Sequence, residues 1–97
     1  MIEHTVCFTL VHPEGSPAEQ DFLTGGREVL TAVPGVQDFT VSRQVSPKSP
    51  FRFRFSMRFA DEAAYRAYDE HPAHRGFVEQ RWAVEVADFQ EFDFTAW

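Results

Sequence analysis

Cysteine occurs once, at Cys7, lysine once, at Lys48, isoleucine once, at Ile2, and asparagine not at all. A lone thiol makes no intrachain disulfide and supplies neither a CxxC redox pair nor a Cys/His zinc pattern, which points to a reducing, cytoplasmic setting. Basic runs are absent too, and 9 Lys and Arg against 15 Asp and Glu leave a net charge of −6. That balance excludes nucleic acid as a partner, because phosphate binding needs clustered Lys and Arg. No stretch approaches the roughly 20 apolar residues of a membrane span, and the opening MIEHTVCFTL lacks the charged start and small-residue end of a secretion signal. No membrane association is expected. The excess of Arg over Lys, with Asn missing and Ile nearly so, is a mark of GC-rich codons and points to a bacterial source.

Phenylalanine is plentiful, at 11 of 97 residues, and with two Trp it contributes to a hydrophobic fraction of 43%. This length sets a single domain, 1–97, and the composition excludes disorder. So short a chain buries little more than about 60% of its unfolded surface, so pairing with a second copy would help it.

His4, Val6, Phe8 and Leu10 alternate with Thr5, Cys7, Thr9 and Val11, the period-two pattern of a half-buried strand. Ser16-Pro17-Ala18-Glu19 then combines a hydroxyl N-cap, a proline at the first helical position and a glutamate three residues after the cap. The helix it opens runs to Pro34-Gly35 and contains Gly25-Gly26, which costs stability unless something packs closely there. A second strand is expected over Val36–Gln44. The third carries Phe51, Phe53, Phe55, Met57 and Phe59 on one face and Arg52, Arg54, Ser56 and Arg58 on the other. Asp61 caps a second helix over Glu62–Glu70, which His71-Pro72 breaks, since the residue before a proline leaves the helical region. A short helix from Pro72 carries His74, Phe77, Val78 and Trp82, and a fourth strand is expected over Ala83–Phe94.

The order β-α-β-β-α-β is that of an α+β, ferredoxin-like sandwich, with an antiparallel sheet covered by helices on one face only. The helix-free face offers Thr5, Cys7, Thr9, Val11 and three arginines, a mixed surface suited to burial against a second copy. Ion pairs of Arg52, Arg54 and Arg58 with Glu85, Glu91 and Asp38, or an anion held among the arginines, would satisfy their charge. Cys7 is expected to pack on this face, as no base stands beside it in the sequence.

Three segments, in order, resemble the stress-responsive dimeric α/β-barrel family: His4-x-Val6-x-Phe8, Val33-Pro34-Gly35-Val36, and Phe59-Ala60-Asp61 through Tyr68-Asp69-Glu70-His71-Pro72-Ala73-His74 to Phe77. Phe92-Asp93 matches as well. The resemblance implies a homodimer in which two helix-free sheet faces close a barrel. It also covers a plant member that closes a linear polyketide by cofactor-free aldol condensation. Its acting residues match His74 as base, Tyr68 as phenolic partner and His4 as a further pocket residue. The stretch from His74 to Asp93 is one residue longer here, and the Phe and Met face of the third strand is bulkier.

From the residues themselves, His4 shares the helix-facing side of its strand and must find a hydrogen bond there. It is either a core histidine with one partner or a member of a site with Tyr68 and His74. Base plus oxyanion donor suffices for aldol-type carbon bond formation, with neither metal nor nucleotide called for. The bland alternative is a Tyr/His pair that orders the helix junction. His71 is expected to bond a free backbone group at that junction, and Asp93 to support the site. The expected pocket is lined by Val6, Phe8, Phe22, Leu23, Phe55, Met57 and Trp82 and takes a small hydrophobic or polyketide-like ligand. The competing class is a non-catalytic ligand-binding or stress-protective protein whose aromatic interior is filled. Monooxygenases share the fold, but no residue here points to them.

Overall fold

Hydrophobic alternation becomes strand where expected. In the computed structural model, which describes residues 1–97, β1 spans Ile2–Leu10, β2 Gln37–Arg43 and β3 Phe53–Phe59. Helix α1 spans Pro17–Thr31 and α2 Glu62–Glu70. A short α3 over Pro72–Phe77 runs through a π-helical turn, Val78–Trp82, into a last turn, α4, at Ala83–Glu85, and β4 follows over Val86–Phe94. The strands lie in the order β2-β3-β1-β4, each antiparallel to its neighbours, with the helices over one face: the ferredoxin-like α+β sandwich.

Local chemistry sets the helix ends. Ser16 Oγ accepts the Glu19 N–H at 3.2 Å, while Glu19 reaches past the cap to accept the Gly15 N–H at 3.1 Å. Asp61 accepts from Ala64 N–H at 2.8 Å to open α2. His71 ends α2 in extended conformation, and its Nδ1 accepts the Ala73 N–H at 3.0 Å, so one side chain opens α3 where its own backbone closed α2. Gly26 is explained by contact. A Cβ there would lie 2.7 Å from Cζ of Phe55, a fully buried ring.

β4 begins later than the sequence suggests, at Val86 rather than Ala83. Ala83-Val84-Glu85-Val86 alternates like a strand, yet nothing between Phe77 and Glu85 breaks a helix, and Arg81 Nε donates to Glu85 Oε2 one turn on at 2.6 Å. The π turn widens the helix locally and seats Trp82 against Phe8 and Phe22, at ring-centroid distances of 4.9 and 6.1 Å. The core beneath is largely aromatic, with Phe8, Phe22, Phe55, Phe59 and Met57 fully buried.

Within the chain, none of Arg52, Arg54 and Arg58 pairs with Glu85, Glu91 or Asp38. Arg52 pairs with Glu14, and Arg54 donates to Ser42 Oγ at 3.2 Å. Glu85 ends a helix rather than extending a strand and is taken by Arg81 and His12. Glu91 sits opposite Val6 in the β1–β4 ladder, hence on the helix-facing side, away from the arginines. Asp38 lies at an irregularity in β2 with φ 52°, where the register slips between Gln37 and Thr40. On the helix-free face Cys7 is half-buried, Thr5 bonds Ser56 at 3.4 Å, and Phe92 and Phe94 are exposed with rings stacked 6.1 Å apart.

Candidate functional site

Between the sheet and its helices lies a cavity of about 250 Å³. Val6, Phe55 and Met57 line it from the sheet, Leu30, Phe77, Val78 and Trp82 from the helical layer. Its polar wall is His4, Tyr68, His74 and Glu91. It opens beside the edge strand β4, where Phe89 and Glu91 are exposed. Three expected lining residues are elsewhere. Phe8 and Phe22 are wholly buried in the core beneath Trp82, and Leu23, one position round α1 from Phe22, packs at the core's margin. Trp82, carried on the π turn, packs on both rings and itself lines the cavity.

His4 is 5% exposed. The β1–β4 register sets it opposite Asp93, and its Nδ1 lies 2.7 Å from Asp93 Oδ1. A carboxylate only accepts, so Nδ1 carries the proton. The Tyr65 hydroxyl donates to the same carboxylate at 2.9 and 3.1 Å, with its oxygen 2.7 Å from Nδ1. His4 Nε2 has no partner in the chain, and no buried polar side-chain atom is left unpaired, so this nitrogen meets the open space of the cavity. Asp93 and Tyr65 also line a larger, open groove on the outside, about 470 Å³, with Ile2, Glu62, Arg66 and Asp69. They stand between the cavity and solvent.

Tyr68 is 2% exposed, with its ring 4.3 Å from that of His74 and 6.4 Å from that of His4. Its hydroxyl bonds nothing in the chain and so faces the cavity. Burial first, then the charges of Asp69 and Glu91, push the phenol well above its ordinary range, which keeps it a proton donor. Nδ1 of His74 donates to the Asp69 carbonyl at 3.0 Å, which leaves Nε2 as an acceptor. His71 is spent on the cap of α3. No three His, Cys, Asp or Glu side chains gather as metal ligands.

His4, Tyr68 and His74 therefore border one cavity; Glu91 joins its wall unforeseen, and Tyr65 stands behind His4 in the outer groove. Tyr65 lies three residues before Tyr68 on the same helical face, a visible signal. Asp93 is expected to support the site, but its contact with Tyr65 is hidden in the sequence, since the two meet only through the β4 register.

The family model of the stress responsive A/B barrel domain, Dabb, matches residues 2–96. A Dabb family protein with a ferredoxin-like fold from Mesorhizobium loti is 47% identical over 99% of this chain and 96% of its own, with a TM-score of 0.98. An Arabidopsis thaliana protein is 18% identical over 100% of this chain and 96% of its own, with a TM-score of 0.83. A dimeric ferredoxin-like protein of unknown function from Thermobifida fusca is 20% identical over 98% and 90%, with a TM-score of 0.76. No curated protein matches in sequence. No helix of the chain is long and apolar enough to cross a membrane. Matched by that family model over all but its first and last residues, the chain belongs to the stress responsive A/B barrel domain family.

Proposed function

We propose that the cavity is a cofactor-free proton-transfer site that enolises a small carbonyl compound, in the manner of an aldol-type polyketide cyclase. The observation that carries this reading is the meeting of Tyr68, a protonated phenol without a partner, with Nε2 of His4 and His74 in one largely apolar space. The Tyr68 hydroxyl donates to the substrate carbonyl. A histidine Nε2 takes the α-proton, the enolate carbon bonds a second carbonyl carbon, and the proton passes to the alkoxide so formed. His4 is the better supported base, since Asp93 holds its tautomer and balances the imidazolium.

The test is cyclisation of a short poly-β-ketone. Tyr68→Phe should slow turnover on the order of a hundredfold, the effect of one lost oxyanion donor. His4→Gln and His74→Ala should each abolish or sharply reduce it. Thermal stability should scarcely move in Tyr68→Phe, because the hydroxyl bonds nothing in the chain. A parent protein that turns nothing over, with Tyr68→Phe strongly destabilised, would favour the non-catalytic binding or stress-protective reading. What speaks for that reading is size, because 250 Å³ is below the ~300–1,000 Å³ of ordinary ligand pockets.

We further infer a homodimer formed through the helix-free face. Dimeric relatives and the exposed Phe92 and Phe94 pair support it. Sedimentation at micromolar concentration should give twice the 11.2 kDa chain mass. A monomer would overturn the pairing, and exposed charge at Phe92 (Phe92→Glu) should split the dimer.

A further inference from the structure

We propose that the cavity is charge-selective, taking small uncharged carbonyl compounds and turning away the corresponding carboxylates. The inference rests on the proposed site and names its ligand class. Four polar side chains reach the wall, and three of them, His4, His74 and Glu91, present lone pairs. His4, 95% buried by its 5% exposure, aims an unpartnered Nε2 into the space, because its Nδ1–H is spent on Asp93. In His74 the Nδ1–H is spent on the Asp69 carbonyl. Of these four, Tyr68 is the donor.

No Lys or Arg lines the cavity. In the helical layer Arg81, next to Trp82, is committed to Glu85 at 2.6 Å and Asp21 at 3.0 Å, and Arg75, next to His74, does not reach the wall. Negative charge stands at the open side instead. Glu91 belongs to the wall, and the charges of Asp69 and Glu91 both act on the Tyr68 phenol. A carboxylate entering here would give up its water for neutral donors and face Glu91 without a Lys or Arg beside it. Should His4 take up a proton, Asp93 already neutralises it. An uncharged ketone suits this wall. Its oxygen accepts from Tyr68, and its polarised α-hydrogens face the Nε2 lone pairs.

Acetophenone and benzoate test this, having nearly one shape with a methyl group in the one where the other has an anionic oxygen. Each is titrated at pH 8 into the full chain, with backbone and Trp82 indole N–H shifts followed by NMR. Acetophenone is expected to shift Val78 and Trp82 at millimolar concentration, and benzoate to bind at least tenfold more weakly. Glu91→Gln should narrow that ratio several-fold. Equal or tighter binding of benzoate at the same residues would overturn the charge selection and leave the cavity as a ligand site. Acetophenone preferred by the same ratio in parent and Glu91→Gln would overturn the part assigned to Glu91. If neither compound moves the cavity residues, the proposed site itself falls, and the selectivity with it.

Discussion

Nδ1 of His4 stands 2.7 Å from Oδ1 of Asp93, directly across the β1–β4 ladder. Two residues 89 positions apart are thus joined at the first and last strands, and the pairing decides what the histidine can do. With the proton on Nδ1, the lone pair is on Nε2, facing the cavity.

That tautomer is directly measurable. At pH 8, imidazole 15N shifts should show His4 with a protonated Nδ1 and a bare Nε2. In Asp93→Asn the carboxamide can donate to Nδ1 in place of accepting, so part or all of the population should move to the Nε2–H form. A parent His4 protonated on Nε2 would remove it as a base.

The chain has only two tyrosines, and both phenols are held above the ordinary value of 10. Desolvation is the first cause for each. The hydrogen bond to Asp93 adds to it at Tyr65, and the Asp69 and Glu91 charges at Tyr68. Raised values in the folded state mean that the stabilisation is present below pH 10 and is lost as pH rises above it, because the unfolded chain ionises first. Absorbance at 295 nm should show no phenolate near pH 10, and both groups should then appear together with alkaline unfolding. A phenol that titrates freely at pH 10 in the folded protein would show its side chain to be solvated.

Neighbouring glycines in α1 should respond in opposite directions. At Gly26 a Cβ meets Phe55 at 2.7 and 3.0 Å and Phe77 at 3.3 Å, and Phe55 is locked among Phe8, Phe22 and Trp82. Gly26→Ala should therefore destabilise by about 1–3 kcal/mol, the range for overpacking, despite the better helix propensity of alanine. At Gly25 the near neighbour is Arg81 Nη1 at 3.1 Å, the one guanidinium nitrogen without a carboxylate partner, on a side chain whose exposed bond to Asp21 can yield by a few tenths of an ångström. Gly25→Ala should be neutral or gain up to about 1 kcal/mol. Urea unfolding of both variants gives the comparison, and equal effects would contradict the close approach at Gly26.

Periodicity and caps made most of the fold legible. The Phe and Met face of β3, the Ser16 and Asp61 caps and the break at His71-Pro72 each state their element locally. His4, Tyr68 and His74 could be singled out because each is a polar residue beside an apolar pattern. What stayed hidden depends on registry. Asp93 finds Tyr65, and Glu91 turns from the arginines to the cavity, only once β4 is set against β1. The π turn carries no local mark either, and period two could not tell that Phe8 is sealed in the core while Val6, on the same face, reaches the cavity.

Glu85 links that π turn to the sheet. Its carboxylate accepts from Arg81 Nε at 2.6 Å, lies 2.7 Å from Nε2 of His12 just beyond β1, and its backbone carbonyl accepts the Val11 N–H at 2.8 Å. The Arg81 hydrogen bond, followed by that of His12, outweighs burial and holds the carboxyl below its ordinary 4.5. A carboxyl with a depressed folded-state value stabilises the fold in full above about pH 4.5, and this is lost as pH falls through that lower value. Glu85→Gln should cost about 1–3 kcal/mol at pH 7, as hydrogen bonds to charged groups do. The two unfolding curves should converge toward pH 3, where the parent has lost the advantage. Because Arg81 directly precedes Trp82, the variant should also speed amide exchange across Val78–Trp82 at neutral pH. Parallel pH profiles for parent and variant would place the acid sensitivity in other carboxylates, and unchanged exchange would separate the ion pairs from the wall of the cavity.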